Sequence, residues 1–169
     1  GDYASARALL EPTNESWDAA FGWALVRLHV HFGALPAAER ALATCALRDP
    51  EGTRGACGLQ HQAFLALGAG KFAGAADLFR DALKLDPANM ACATNMALSE
   101  LYNRQLPKAV DALESVIKAD PTAMTYAAVF NLCTLYDLQG ANGLDKKRMI
   151  VRLAKAYASE DFDLSACKL

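Results

Sequence analysis

Two segments of the chain, KFAGAADLFRDALKLDP (71–87) and QLPKAVDALESVIKADP (105–121), superpose without a gap, and their final prolines lie 34 residues apart. A third segment, ALPAAERALATCALRDP (34–50), falls into the same register, and its proline precedes Pro87 by 37 residues. The three extra residues fall in a glycine-rich stretch, 51–58. The chain is therefore built on an internal repeat of about 34 residues.

Each of the three segments carries an alanine, then a bulky apolar residue four positions later, then a small or medium-sized residue three positions after that. These positions are Ala38, Leu42 and Cys45; Ala75, Phe79 and Ala82; and Ala109, Leu113 and Val116. Spacings of four and three place the residues on one face of a helix. The Asp-Pro pair ends the helix, because proline disfavours the α conformation in the residue before it.

Another apolar-periodic run precedes each of these helices, at 17–32, 57–69 and 90–103. The unit is thus a helical hairpin of about 34 residues, the period of the tetratricopeptide repeat (TPR). About a fifth of the residues are alanine, which favours helix and lets helices pack closely. The sequence predicts an all-α TPR solenoid of antiparallel hairpins in a right-handed superhelix.

The repeat frame predicts one solenoid over 1–169, divided into the following parts. They are the second half of a truncated repeat (1–15), three repeats (16–52, 53–87 and 88–121), a divergent capping hairpin (122–158) and a C-terminal tail (159–169). Because the opening GDYASA resembles the middle of a repeat, we expect the chain to be a fragment of a longer solenoid.

The predicted capping hairpin joins AMTYAAVFNLCTLYDLQ (123–139) to GLDKKRMIVRLAKAYA (143–158). The second of these helices lacks the alanine signature and the Asp-Pro ending. Its predicted buried stripe consists of Leu144, Ile150, Leu153, Ala154 and Tyr157. We expect a capping helix with a more polar outer face, as the end of a solenoid requires.

Charge and apolar patterning exclude several classes of partner. Seventeen basic and nineteen acidic residues give a net charge of -2, unlike the basic surface of a nucleic-acid binder. The apolar stretches are far shorter than the roughly 20 residues of a membrane-spanning helix, so no direct membrane insertion is predicted. The five cysteines, at positions 45, 57, 92, 133 and 167, form no C-x-x-C pair, which favours reduced thiols in a cytoplasmic protein.

No pattern of residues predicts catalysis, a metal or a cofactor. His29 and His31 lie two positions apart, about 200° around a helix, so they cannot share a metal. His61 has neither cysteine nor carboxylate three or four residues later, and we expect it at the surface or between helices. The segment LGAGKFAG (67–74) lacks the spacing of a phosphate loop and predicts a turn in which Gly68 or Gly70 is left-handed.

The first helices of stacked hairpins line a concave surface, and two columns of residues are predicted to face it. One column holds Arg27, Phe64, Leu98 and Leu132, and the other holds Val30, Leu67, Leu101 and Leu135, with Gln60 and Thr94 nearby. Two interpretations remain open. Either these columns pack on neighbouring hairpins, or the groove holds an apolar segment. That segment would come from a partner or from the chain's own tail, through Phe162, Leu164 and Leu169.

The chaperone-tail receptors of the TPR class grip a carboxylate with Lys, Asn and Arg on successive first helices. The corresponding positions of this chain hold Trp23 and Arg27, His61, and Ala91 and Asn95. A frame starting one repeat later gives Gln60, Phe64, Asn95, Thr125 and Val129. Only Asn95 fits, and no basic cluster can pair with a carboxylate. The sequence disfavours a carboxylate clamp.

The C-terminal part resembles the subunit 12 family of the trafficking protein particle (TRAPP) complexes. The similarity lies in VFNLCTLYDLQ (129–139), Lys146-Lys147 and FDLSACKL (162–169), and KFAGAADLFRDALKLDPANMACATNMALSELY (71–102) is also similar. Its most diagnostic residues are Phe130, Asn131, Leu132, Lys146, Lys147, Cys167, Lys168 and Leu169. Ala166-Cys167-Lys168 departs from the family by lacking an extra leucine.

The resemblance implies a non-catalytic scaffold subunit of a vesicle tether that acts in ER-to-Golgi transport and autophagy. Its partners would be the other TRAPP subunits, which carry out nucleotide exchange on a Rab GTPase, so that the GTPase is contacted only indirectly. The protein would be cytoplasmic and associate peripherally with ER-Golgi and Golgi membranes through the complex. The alternative is a generic TPR adaptor that binds peptides.

Overall fold

The computed structural model describes residues 3–10, 18–140 and 142–167. Three predicted features therefore lie partly outside the described residues. They are the segment that joins the truncated repeat to the next one, the start of the first apolar run at Trp17, and the end of the tail at Lys168-Leu169. Helices joined by turns make up the described residues, and no strand occurs among them, so the all-α prediction is confirmed.

The α-helices of the described residues are numbered in chain order. They are α1 (Tyr3–Leu10), α2 (Ala19–His31), α3 (Leu35–Arg48), α4 (Pro50–Arg54), α5 (Ala56–Gly68), α6 (Phe72–Leu85), α7 (Met90–Tyr102), α8 (Leu106–Ala119), α9 (Tyr126–Gln139) and α10 (Gly143–Tyr157). Short 3-10 helices lie at Pro121–Ala123 and Leu164–Cys167. The chain divides into two compact units, unit 1 (Gly1–Leu85) and unit 2 (Asp86–Leu169).

Unit 1 consists of two helical hairpins, α2 with α3 and α5 with α6, with α1 packed on α2 and α4 between the hairpins. Most of the predicted repeat face of the second helices is buried: Ala38, Cys45, Ala75, Phe79 and Ala82 are fully enclosed. Leu42, on the same predicted face, is half-buried and packs against the cluster of Trp23, Val26 and Cys45. Small alanines at these positions allow the close approach of paired helices, which brings many atoms into van der Waals contact.

Unit 2 contains the hairpin of α7 and α8, followed by α9 and α10. Its repeat face is also buried, at Ala109, Leu113 and Val116. The helix α9 contributes six buried residues, more than α2 or α5 of unit 1 does. It is therefore a central element of unit 2, packed by α8, α10 and the final 3-10 helix.

The turns inside the three repeat hairpins share one geometry. Gly33, Gly70 and Arg104 all have positive φ, at 71°, 73° and 61°, and they are 37 and 34 residues apart, as in the repeat frame. In each turn, the amide after the left-handed residue donates to a carbonyl five residues earlier, which closes a Schellman motif. The prediction of a left-handed glycine at 68 or 70 is confirmed for Gly70.

The buried stripe of α10 differs from the predicted one. Ile150 and Ala154 are buried as expected, but the stripe is completed by Gly143 and Lys147, while Leu144 and Tyr157 are more than half exposed. The physical reason is that Lys147 packs its aliphatic stem inward and places its ammonium 2.6 Å from Asp137 Oδ1. A charge can thus occupy a core position once it is paired.

Candidate protein-binding grooves

An open groove runs along the first helices of unit 1, between α2 and α5. Its volume is about 480 Å³, its walls are mostly apolar, and it is largely open to solvent. The lining residues are Ala24, Arg27, Leu28, Val30, His31 and Phe64. A space of this size fits several side chains of an extended or helical segment, and it lies within the range typical of ligand sites.

Arg27 is fixed at the wall of this groove by His61, which belongs to the facing helix α5. The guanidinium Nη1 of Arg27 lies 3.2 Å from His61 Nε2, and His61 Nδ1 lies 2.6 Å from the carbonyl oxygen of Cys57. Since that carbonyl can only accept, Nδ1 carries the proton and Nε2 accepts from Arg27. The two helices are thereby joined by a neutral histidine.

Burial lowers the pKa of His61, and the neighbouring positive charge of Arg27 lowers it further, while the hydrogen bond to Cys57 opposes both. His61 is buried between helices, one of the two locations expected from the sequence. The partner of His61 is a backbone carbonyl four residues upstream, which the pattern of side chains along the sequence does not reveal.

Phe64 forms the floor of the unit 1 groove and is held from behind by other rings. Its ring packs edge-on against Phe79, with centroids 5.5 Å apart, and against His61 at 6.0 Å. Phe79 is fully buried, whereas Phe64 is only half-buried. One face of Phe64 therefore remains available to a ligand while the other is fixed by the core.

The structure brings together three of the predicted surface residues in unit 1, namely Arg27, Val30 and Phe64. Gln60 and Leu67 are half-buried and do not line the cavity. Sequence reasoning missed Ala24, Leu28 and His31, which belong to the same face of α2 as Arg27 and Val30. Helical spacing predicts them as neighbours of Arg27, because Ala24 lies three residues before it and Leu28 and His31 lie one and four residues after it.

The corresponding region of unit 2, between α7 and α9, is nearly filled. It retains a cavity of only about 60 Å³, lined by Thr94, Ala97, Leu98, Leu101, Asn131, Thr134 and Leu135. Leu132 is fully buried and Leu135 is 4% exposed. The expectation that Leu132 offers an open surface is wrong, since this side chain belongs to the core of unit 2. Leu98, at 37% exposed, presents most of what remains accessible.

The described part of the C-terminal tail does not fill this small cavity. The 3-10 helix Leu164–Cys167 packs on α9 and α10, and the buried thiols of Cys133 and Cys167 lie close enough to interact. Cys133 lies about 200° around α9 from Asn131, which lines the cavity. Neither Phe162 nor Leu164 lines this cavity, so the structure does not place the tail there; Leu169 lies outside the described residues.

A polar network supports α9 from the side of α8. Tyr136 donates to Glu114 Oε1 at 3.1 Å, Lys118 is paired with the same carboxylate, and Lys146 lies 5.1 Å above the Tyr136 ring. Burial alone would raise the pKa of Glu114, but hydrogen bonds from Lys118 and Tyr136 and the charges of Lys118 and Lys146 lower it. Through Tyr136 the network links α9 to both α8 and α10.

Burial disfavours the thiolate form of two buried cysteines. Burial raises the pKa of Cys45 to about 11 and that of Cys133 to about 12, which keeps both thiols protonated at neutral pH. Within 3–10, 18–140 and 142–167, no group of three or more His, Cys, Asp or Glu side chains is placed to hold a metal ion. In the same part of the chain, no helix is both long and apolar enough to cross a membrane.

Residues 66–134 match the family profile of the tetratricopeptide repeat. The fold is similar to a thermophilic TPR protein of Thermus thermophilus, at 20% identity and a TM-score of 0.67, with 99% of this chain and 91% of that chain covered. A MamA double mutant gives 14% identity and a TM-score of 0.66, covering 96% and 89%, and MamA itself gives 15% and 0.63, covering 91% and 87%. No curated protein matches the sequence.

The helical hairpins and these similarities show the class of fold: the chain has the all-helical hairpin fold of TPR proteins, and residues 66–134 match the TPR profile. Repeat folds of this kind form extended concave surfaces, and the groove of unit 1 lies on its first helices.

Proposed function

We propose that this protein is a non-catalytic interaction module whose unit 1 groove binds an apolar segment of a partner protein. The observation that carries the proposal is the cavity of about 480 Å³ with Phe64 on its floor and Arg27 on its wall. Apolar walls contribute affinity through the area that a ligand removes from water, and a single fixed guanidinium can orient the segment.

A library of short peptides, screened by fluorescence anisotropy against the whole chain, tests this proposal. Peptides with apolar residues at helical or alternate spacing should bind the wild type and lose at least about tenfold in affinity to Phe64→Glu, because a carboxylate in the groove floor opposes apolar contact. The matched control is Leu47→Glu, which changes a residue that is 82% exposed on α3. Equal binding by both variants would contradict the proposal.

We further propose that the module serves as a scaffold subunit of a TRAPP vesicle tether. Its repeats are proposed to begin and end where the 34-residue period of the sequence predicts. The support is the sequence resemblance at Phe130-Asn131-Leu132, Lys146-Lys147 and the tail. The partners would then be other TRAPP subunits, the Rab GTPase would be reached only through them, and the location would be cytoplasmic and at Golgi membranes. The generic peptide-binding adaptor is the competing proposal.

Purification of the full-length protein from its native cells distinguishes these two proposals. Recovery of TRAPP subunits in stoichiometric amounts is the expected result for the scaffold. Recovery of chaperones without any TRAPP subunit would overturn the scaffold proposal. If the wild type co-purifies with identified partners outside TRAPP and the Phe64→Glu variant does not, the adaptor proposal is supported.

A further inference from the structure

The helix α10 is a strongly basic element on an acidic chain. It carries five basic residues and one acidic residue, Asp145, within its fifteen residues, whereas the whole chain has a net charge of -2. The positive charge is therefore concentrated on one helix of unit 2. A local field of this kind attracts a partner of opposite sign even though the protein as a whole is slightly acidic.

Three of the basic residues form one stripe along the exposed face of α10. Arg148, Arg152 and Lys155 follow each other at spacings of four and three, and all three are exposed. Ile150 and Ala154, on the other side of the helix, are buried. Leu144 lies four residues before Arg148 on the same row and is 52% exposed. The face thus combines one apolar residue with three cations over roughly three turns.

The charges of this stripe are incompletely neutralised within the structure. On other helices some exposed cations pair with a carboxylate one turn away, as Lys84 does with Asp81 at 2.7 Å. On α10, Arg148 pairs with Asp145 at 3.2 Å. Across the described parts of the chain, no carboxylate lies within ion-pair distance of Arg152 or Lys155. Glu160 and Asp161, although close in sequence, are exposed and do not pair with them.

The shape of the face selects among acidic partners. An anionic membrane binds helices that offer a continuous apolar face for insertion. On α10, Ile150 and Ala154 are buried, and the exposed Leu144 lies about 140° around the helix from both Met149 and Tyr157, so no continuous apolar face is exposed. A nucleic acid requires many phosphate contacts, and three cations supply about three. An acidic helix, in contrast, can present carboxylates at the same spacing of four and three, with an apolar residue beside Leu144.

We propose that the exposed face of α10, formed by Leu144, Arg148, Arg152 and Lys155, is a second docking surface that binds an acidic amphipathic helix of a partner protein. The carboxylates of that helix pair with Arg152 and Lys155 and compete with Asp145 for Arg148. This surface is separate from the residues that line the unit 1 groove and does not depend on a ligand there.

A synthetic helical peptide with glutamates at spacings of four and three and one leucine a turn before them tests the surface. Binding to the whole chain is measured by fluorescence anisotropy at several salt concentrations, beside a peptide with glutamine at the same positions. The glutamate peptide should bind at least about tenfold more tightly, and its affinity should fall as salt rises, because the contacts are exposed ion pairs.

Charge-reversal substitutions in the protein test whether the peptide binds at this face of α10. Arg152→Glu combined with Lys155→Glu should weaken the glutamate peptide by at least about tenfold, since attraction is replaced by repulsion. The control, Lys108→Glu, changes an exposed lysine on α8 and should have no such effect. Circular dichroism checks that all variants remain helical.

Four results would overturn the proposal. They are equal binding of the two peptides, an equal loss in Lys108→Glu, tighter binding to phosphatidylserine vesicles or duplex DNA than to the glutamate peptide, and self-association of the chain that the double reversal abolishes. The last result would mean that this face binds acidic residues of a second copy of the chain and not a partner helix. None of these results depends on the unit 1 groove, so the first proposal succeeds or fails separately.

Discussion

Units 1 and 2 follow the same repeat rule, yet they use their first helices differently. In unit 1, the space between α2 and α5 is a cavity of about 480 Å³, and Phe64 and Arg27 are accessible within it. In unit 2, the space between α7 and α9 has shrunk to about 60 Å³, and Leu132 is completely buried. Leu132 is therefore a core residue, although Arg27, Phe64 and Leu98, which precede it in the same column of the repeat frame, are accessible.

This difference shows that a repeat pattern specifies hairpins more strictly than it specifies grooves. The small-residue face that joins the two helices of a hairpin is buried in both units. The opposite face depends on what packs there, and in unit 2 α9 is enclosed by α8, α10 and the tail. Unit 1 is consequently better suited to binding a ligand in its groove, whereas unit 2 offers the exposed face of α10.

The largest expected effect comes from introducing a charge at Leu132, the fully buried member of the column that also contains Phe64 and Leu98. Leu132→Glu should destabilise unit 2 by more than about 4 kcal/mol, because a carboxylate is buried without a partner. Leu98→Glu, at a residue 37% exposed, should cost less than about 1 kcal/mol and leave the helicity intact. Urea denaturation followed by far-ultraviolet circular dichroism measures both changes.

If the remaining cavity of unit 2 is occupied in a complex, Leu98→Glu should also weaken that assembly while the isolated protein stays folded. Loss of helicity in Leu98→Glu comparable to that in Leu132→Glu would show that the whole column is core, which would remove the distinction between accessible and buried positions in unit 2.

The next effect concerns the buried lysine of unit 2. Asp137→Asn should reduce the free energy of unfolding by about 1–3 kcal/mol, because the Lys147 ammonium, in a side chain only 6% exposed, loses its charged partner. The matched control is Asp145→Asn, which breaks the exposed pair with Arg148 and should change stability by less than about 0.5 kcal/mol. Equal losses in thermal denaturation would mean that burial of Lys147 is unimportant.

The left-handed turns provide a smaller and opposite pair of effects. Arg104→Gly in unit 2 should stabilise the protein by about 0.5–1 kcal/mol, because glycine adopts positive φ without the steric cost of a side chain. Gly70→Ala in unit 1 should destabilise it by a similar amount, although open space surrounds the added Cβ. Melting temperatures shifted in the same direction by both substitutions would contradict this account of the turns.

The smallest effects distinguish the two units by pH. The pKa of His61 is lowered in the folded state, so the unfolded chain binds the proton more readily and unit 1 loses stability as pH falls below 6.5, the ordinary value. Both tryptophans of the sequence lie in unit 1, so tryptophan fluorescence in urea follows its unfolding. The pH dependence in this range should be reduced in His61→Phe.

In unit 2, the pKa of Glu114 is lowered, and its stabilising contribution is present above the ordinary value of 4.5 and disappears as pH falls through the folded-state pKa. Far-ultraviolet circular dichroism should therefore show a loss of stability in acid that is smaller in Glu114→Gln. Acid sensitivity of the two variants in the same pH range would contradict the assignment of separate groups to the two units.

The sequence by itself determined the hairpins, their period and their turns. Ala75, Phe79 and Ala82 recur at helical spacing, Asp-Pro ends the helices, and Gly70 supplies the left-handed turn, so local interactions were sufficient to specify these features. The same period predicts that Arg27, Val30 and Phe64 share one surface of the first helices, and all three line one cavity; that this cavity binds a partner stays a prediction.

Only the tertiary structure decided which equivalent positions are open. Leu132 is buried because α9 is covered on several sides, and Lys147 occupies a core position because Asp137 comes from another helix to pair with it. The burial of a side chain depends on groups that are distant in sequence, and a period of 34 residues carries no information about them. Periodicity therefore specifies the face of a helix, whereas long-range packing decides whether that face meets the core or a partner.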